Sequence, residues 1–312
     1  MSTKQLTETA VGTDPISSTR VSRRWRLTGW QAKQRRIAQR RLTRAVRENV
    51  LPEVQLLLKH GVDLKTFARQ DPLGIAIACG LDSIVDVLVT AGVRSSQAMF
   101  VAAVMNKPVM LRRLLEAWDR PPLSMTLWWA ARAGALEAAK FLLTSGAKDK
   151  GATTLVAVQR GHVEVVQLIL AHGARPNGHM LRACAFGPDH KQGEACLRLL
   201  LASGIDADTA LRRFPPKHIT HTTLVNMGQE LGLCALLARF ATTDPNYAKA
   251  KVWIEDTSKL ANTYEPARNW RNRSDARRFN EALALTHREL YRCAALFEVE
   301  HKPNAGITAL ML

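Results

Sequence analysis

Few residues of this 312-residue chain have the type and spacing that chemistry requires. His218 and His221 present two imidazoles three positions apart, after a Pro-Pro pair and with no Cys, Asp or Glu close by. A zinc ion takes four protein ligands in a structural site and three in a catalytic one. Two histidines in a loop therefore predict solvated side chains, and we expect no metal site.

The cysteines are scattered, and they stand at Cys79, Cys184, Cys196, Cys234 and Cys293. Their odd number and the absence of a CxxC pair argue against a disulfide framework and against a zinc ribbon. Cys184 and Cys196 fall on the two predicted helices of one sequence unit, where buried thiols are far commoner than a redox pair. The cysteines thus favour a reducing compartment.

Sequence motifs of catalysis and nucleotide binding are absent: the chain lacks GxxxxGK[ST], GxGxxG after a strand, HExxH and GxSxG. Each of these motifs positions a phosphate, a metal or a nucleophile through a defined backbone geometry. We therefore expect a protein that is not an enzyme and that holds no cofactor. An enzymatic role is left only to the C-terminal segment.

Trp128 and Trp129 are adjacent and allow two interpretations. Tryptophan is enriched where interfaces concentrate their binding energy, so the pair is a candidate hot spot. The pair also lies at the start of a predicted helix, a position that favours burial. The sequence predicts that at least Trp129 belongs to the core.

The elements that must position any site repeat along the chain. Residues 161–174 read Gly-His-Val-Glu-Val-Val-Gln-Leu-Ile-Leu-Ala-His-Gly-Ala, and similar segments cover 49–62, 80–93, 106–118 and 134–147. The closing position recurs at spacings of 31, 26, 28, 27 and 31 residues, at Gly61, Gly92, Trp118, Gly146, Gly173 and Gly204. A near-constant period of this length predicts a stack of structural units.

Each unit is predicted to contain two short helices. Val163, Val166 and Ile169 recur at helical spacing. The Gly or Asn that opens each segment can take the left-handed conformation that ends the preceding helix. A helix pair this small cannot bury its own apolar face, so neighbouring units must stack.

The units resemble the ankyrin repeat family over roughly residues 41–246. The residues that carry the resemblance include Thr126-Leu127, Ala130-Ala131 before Gly134, and Gly161-His162-Val163-Glu164-Val165-Val166. The resemblance implies an all-α ankyrin-type helical solenoid with about six clear units and one degenerate unit. The family period is 33 residues, so the shorter middle units predict that the projecting β-hairpin fingers are reduced to stubs.

The resemblance also implies a binding surface, because in ankyrin proteins the two residues before the turn glycine face a concave groove. The matching positions are Arg47, Glu48, Ala78, Cys79, Val104, Met105, Arg132, Ala133, Gln159 and Arg160. From these we expect the protein-binding residues to be Ala78, Cys79, Val104, Met105, Arg132, Gln159 and Arg160. Such a groove is apolar at its centre and flanked by arginines. It suits a partner helix or extended segment with an apolar anchor and acidic flanks.

The net charge of +17 is concentrated near one end of the chain, with eleven Lys or Arg and no acid between Arg20 and Arg47. Residues 30–47 predict a helix with a narrow apolar stripe and a basic stripe. The candidate anion-binding residues are Arg23, Arg24, Arg26, Lys33, Arg35, Arg36, Arg40 and Arg44. One interpretation is a solvated capping helix. The absence of acids favours the other, which is attachment to nucleic acid, a ribonucleoprotein or an anionic membrane.

The flanks complete the predicted domain organisation. Residues 1–19 are rich in Ser and Thr and predict a disordered leader, residues 20–40 a basic arm, residues 41–246 the repeats and residues 247–312 a C-terminal helical cap. The degenerate unit is expected over 224–244, with Gly232 in its turn. Apolar residues on one face predict a long helix from about Ser274 to Phe297.

The sequence therefore predicts a non-enzymatic scaffold for protein–protein interaction, with no small-molecule substrate. A microbial effector delivered into a host cell, with the leader as its export signal, stays an alternative. Apolar runs long enough to span a bilayer are absent from the sequence. We expect a soluble, cytoplasmic protein, and nuclear or host-cell targeting stays open.

Overall fold

A computed structural model describes residues 29–62, 71–149, 151–187, 189–211, 220–267 and 272–312. Within these ranges all regular elements are helical, which confirms the all-α prediction. Helices α1 to α8 are Gly29–Arg47, Leu51–Lys59, Pro72–Cys79, Asp82–Thr90, Ser96–Val104, Pro108–Glu116, Leu123–Ala133 and Leu136–Thr144. Helices α9 to α16 are Ala152–Arg160, Val163–Ala171, Gly178–Ala183, His190–Ala202, His221–Leu237, Pro245–Ala261, Arg273–Leu296 and Ala305–Met311.

The first twelve helices pair in chain order, from α1 with α2 to α11 with α12, and the pairs stack. The first helix of each pair contacts the first helix of the next, from α1 through α3, α5, α7 and α9 to α11. The second helices α6, α8, α10 and α12 contact one another in the same succession. Most of the buried apolar side chains form one continuous cluster that reaches from Leu42 to Phe297, so the predicted helical solenoid is confirmed.

The turns between paired helices have the predicted left-handed backbone. The φ angles are +71° at Gly134 and +73° at Gly161, and Asn49 and Asn106 occupy the same region at +56° and +52°. The next amide then bonds back across the helix end, as from Ala135 N to the Ala130 carbonyl oxygen at 2.9 Å. This arrangement satisfies the last carbonyls of the first helix and sends the chain back along it.

Consecutive units are joined by short connections, over residues 91–95, 117–122, 145–151 and 172–177. None of the described residues in these connections is in a strand. Side chains there cap the following helix: Asp149 Oδ1 accepts from Gly151 N at 2.8 Å, and Ser95 Oγ accepts from Ala98 N at 3.3 Å. The ends of the first helices are therefore not shielded by a projecting hairpin at these four junctions.

The prediction of a turn at Gly232 was wrong, because α13 runs without a break from His221 to Leu237. A Cβ at Gly232 would lie 3.0 Å from the Cβ of Ala185. This glycine therefore lets α13 approach the turn Cys184–Phe186 closely, and it does not end a helix.

The C-terminal helices pack onto the end of the stack. Helix α15 matches the long helix predicted for 274–297, and its predicted face is buried at Phe279, Leu283, His287, Leu290 and Ala294. The second half of α15 belongs to the core of the stack. The first half forms a smaller buried cluster with the start of α13 and with α16.

A buried ion pair joins α11 to α13. Arg182 is 6% exposed and Glu230 is fully buried, and their Nη1 and Oε1 atoms lie 3.0 Å apart. Arg182 also donates to the Ala210 carbonyl oxygen at 3.2 Å. Removing one partner of such a pair leaves an uncompensated charge in a dry environment.

We therefore expect Arg182→Ala to lower the free energy of unfolding by about 3 kcal/mol or more. Arg277→Ala is the matched control, since Arg277 pairs with Glu281 at 2.8 Å on the exposed face of α15. The control is expected to lose less than about 1 kcal/mol. Urea denaturation of both variants measures the difference, and equal losses would contradict the prediction.

Two buried histidines link α14, α15 and the segment that follows α15. His287 Nδ1 lies 3.2 Å from His301 Nε2, and His301 Nδ1 lies 2.8 Å from Ser258 Oγ. Burial and the neighbouring His301 lower the pKa of His287 to about 4. Burial also lowers the pKa of His301. Both imidazoles are therefore neutral in the folded protein near pH 7.

Acidification is expected to destabilise the fold through His287. The unfolded imidazole takes up a proton below its ordinary pKa of 6.5, whereas the folded one does so only near pH 4. The unfolded state therefore binds more protons within this window, and the free energy of unfolding falls by about 2 kcal/mol from pH 7 to pH 5. Denaturation at several pH values tests this for His287→Gln, which flattens the dependence, and for the exposed control His172→Gln, which keeps it. An unchanged slope in His287→Gln would refute the prediction.

Candidate partner-binding groove

The first helices α1, α3, α5 and α7 contact one another in succession, and residues of all four line an open pocket of about 520 Å³. We call it the α3–α7 pocket. Its lining residues are Arg47, Asp71, Gly74, Ile75, Ala78, Gln97, Phe100, Val101, Val104, Met105 and Trp129. The stacking of first helices aligns their ends, so residues about thirty positions apart in sequence share one surface.

The expected protein-binding residues are all exposed, which the groove interpretation requires. Val104 and Met105 keep 43% and 46% of their surface accessible, although both are large and apolar. Three of the seven, Ala78, Val104 and Met105, line the α3–α7 pocket. The other four lie at the ends of the neighbouring first helices without lining it, and they are Cys79, Arg132, Gln159 and Arg160.

The prediction that Trp129 belongs to the core was wrong. Trp129 is half-buried and lines the α3–α7 pocket, where its ring stacks on Phe100 with centroids 6.0 Å apart. Trp128 meets Trp129 edge-on at 5.1 Å and packs against the core instead. Helical spacing could have predicted that Phe100 and Trp129 belong to the pocket. Phe100 precedes Val104 by one turn, and Trp129 precedes Arg132 by one turn, so each lies on the same helix face as a predicted binding residue.

Asp71 fixes the geometry behind the pocket. Its carboxylate accepts from the amides of Leu73 and Gly74 at 3.2 and 3.0 Å, and thereby caps α3. It also accepts from the Ser95 hydroxyl at 2.5 Å. Because Ser95 caps α5, this one carboxylate ties the starts of α3 and α5 together.

The charged residues beside the pocket are predominantly positive. Arg47, Arg132 and Arg160 are exposed, and among the described residues none of them lies within ion-pairing distance of a carboxylate. Glu48 is held by Arg44 at 2.7 Å, and Asp71 is engaged by the amides and the hydroxyl described above. The apolar surface is therefore flanked by arginines that are free to bind anions.

The helix pairs in the second half of the stack match a known protein family. A family model described as ankyrin repeats matches residues 127–212 in three copies. This segment consists of ankyrin repeats. The match covers the units from α7 to α12, and the same helix–turn–helix geometry continues towards the N-terminus through α3 to α6. None of the curated proteins compared with the chain matched it.

At the N-terminal end of the stack of helix pairs, α1 presents a basic face to solvent. Leu42, Ala45 and Val46 are buried against the stack. Of the predicted anion-binding residues, those exposed on α1 are Lys33, Arg35, Arg36, Arg40 and Arg44. The remaining three, Arg23, Arg24 and Arg26, lie outside the described residues, as does the predicted leader of residues 1–19.

The histidine pair and the cysteines do not form a reactive site among the described residues. His218 lies outside the described residues, and the described part of the chain holds no cluster of three or more His, Cys, Asp or Glu suited to a metal ion. Cys184 and Cys196 are buried, as expected, and burial raises the pKa of the Cys196 thiol to about 11. A thiol with a raised pKa is a weak nucleophile at neutral pH. Across the described residues, every helix is too short or too polar to cross a bilayer.

Proposed function

We propose that this chain is a non-enzymatic scaffold that binds another protein through the α3–α7 pocket and the arginines beside it. The observation that carries the proposal is the exposure of Val104 and Met105 next to the Phe100–Trp129 stack. Clustered exposed apolar side chains on a protein surface mark interaction sites. Ankyrin repeats are generally protein–protein interaction modules, which supports the same conclusion.

The chemistry of the surface defines the partner. An apolar side chain fits the pocket, and acidic residues on either side of it complement Arg47 and Arg132. A helix or an extended segment can present both features, because in each the side chains on one face recur at short spacing. The partner is therefore a protein segment with an apolar anchor and acidic flanks.

Charge placed in the pocket is expected to abolish partner binding. Val104→Glu and Met105→Glu each bury a carboxylate where the apolar anchor would sit, so proteins captured by the full chain should be lost from both variants. Val109→Glu is the matched control, since Val109 is 64% exposed on α6 and does not line the pocket.

Affinity purification with quantitative mass spectrometry measures the outcome. The proposal is supported if both pocket variants recover a protein about tenfold less or worse and Val109→Glu recovers it fully. A tenfold loss is about 1.4 kcal/mol of binding free energy. Retention of the same proteins by all three variants, with circular dichroism unchanged, would exclude the pocket as the binding site.

A second candidate function rests on the basic face of α1. We infer that this face binds the phosphates of nucleic acid. Its exposed cations are nearly all arginine, whose planar fork suits phosphate oxygens. The burial of Leu42, Ala45 and Val46 anchors the last turns of the helix, which carry Arg44 and Arg47. Binding of this kind releases counterions and is therefore sensitive to salt.

Salt titration of RNA and DNA binding tests this second function. The double variant Arg36→Glu/Arg40→Glu should make binding less sensitive to salt. The magnitude of the slope of log affinity against log salt should fall by about two, because each lost phosphate contact removes about 0.9. The control Arg277→Glu with Arg278→Glu changes the same charge on α15. Equal slopes in the two variants, or binding to anionic liposomes alone, would overturn the inference.

A further inference from the structure

Arg132 is held over two aromatic rings at the edge of the α3–α7 pocket. Its guanidinium carbon lies 5.5 Å from the Trp128 ring centroid and 5.6 Å from the Trp129 ring centroid. The backbone is fixed as well, because His162 Nε2 lies 3.2 Å from the Arg132 carbonyl oxygen and donates to it. Cation–π contacts with the two rings restrict where the guanidinium lies, while its N–H groups stay available for hydrogen bonding.

The same protein contains a stacked arginine that already binds a carboxylate. The Arg198 guanidinium lies 4.5 Å from the Phe240 ring centroid, and its Nη2 lies 3.0 Å from Glu194 Oε1. Arg239 binds the other oxygen of that carboxylate at 3.1 Å. Arg132 has the aromatic support that Arg198 has, but among the described residues it has no carboxylate within 4.0 Å.

Trp129 connects this arginine to the pocket. Its ring is part of the pocket lining and also lies beneath the Arg132 guanidinium. An apolar side chain that enters the pocket and touches Trp129 therefore brings its neighbouring residues close to Arg132. Arg47 also lies on the lining, but among the described residues no aromatic ring makes a cation–π contact with it.

We propose that Arg132 is the specificity-determining residue of the pocket and binds the side-chain carboxylate of an Asp or Glu next to the partner's apolar anchor. This inference rests on the function proposed above, and it adds which residue selects the partner and by what chemistry. A planar fork and a planar carboxylate form two parallel hydrogen bonds. Lysine in place of Arg132 would keep the charge and lose this geometry.

Selection from a random-peptide phage library on the full chain tests the proposal, and it does not require the partner to be identified first. The selected peptides should share an apolar residue with Asp or Glu at a constant offset. A library selected on Arg132→Glu should lose the acidic position and keep the apolar one. The control Arg112→Glu changes an exposed arginine that stacks on Phe141 at 5.8 Å outside the pocket, and it should select the same peptides as the unchanged chain.

Affinities of the best selected peptide then assign the contact. Arg132→Ala should weaken binding by about 10- to 100-fold, and Asp→Asn in the peptide by a similar factor. The two changes combined should cost no more than either alone, because they remove one interaction. Arg132→Lys should recover only part of the loss. Fully additive losses, or peptides without a constant acidic position, would refute the role of Arg132.

The failure of this inference differs from the failure of the proposed function. Peptides that lose binding in Val104→Glu but show no acidic preference would refute Arg132 as the selecting residue and leave the pocket intact. Peptides that bind equally well to Val104→Glu would overturn both proposals, since the pocket would then not be the binding site.

Discussion

The structure depends on the inability of one helix pair to bury its own apolar face. In the unit formed by α9 and α10, Val165, Val166 and Ile169 are buried, and that burial requires the neighbouring units on both sides. Fully buried alanines such as Ala130 and Ala131 let adjacent first helices approach closely. Stability then arises from the interfaces between units, as in other repeat proteins. The pocket is a product of the same stacking, because its lining is shared by residues of four consecutive first helices.

Local signals in the sequence were sufficient for most of the fold. The turns at Gly134 and Gly161, and at Asn49 and Asn106, could be predicted because a positive φ angle restricts the residue type directly. The long helix α15 could be predicted because its buried face, from Phe279 to Ala294, follows the helical period over about four turns. Gly232 could not be placed in the same way, since a glycine ends one helix and permits close packing in another. The residue that decides between these roles is Ala185, which is far away in the sequence.

The site was predictable where the register determines it and not where packing does. Ala78, Val104 and Met105 occupy a fixed position before each turn, and the structure places all three on the pocket lining. The half-burial of Trp129 depends instead on Phe100 in the preceding unit, which stacks on its ring. Trp128 and Arg132 contact the same ring. The contacts of Arg132 with both tryptophans could not be predicted from the sequence either. Such contacts depend on side-chain rotamers, which a repeat pattern does not specify.

The lining of the α3–α7 pocket comes from four consecutive units, whose first helices contact one another in succession. In such a stack the curvature is the sum of small rotations between one unit and the next. A rotation of one unit against the next therefore changes the distances between the residues that line the pocket, because its lining is shared among several units. The shape of the pocket is thus a property of the interfaces between units and not of any single unit.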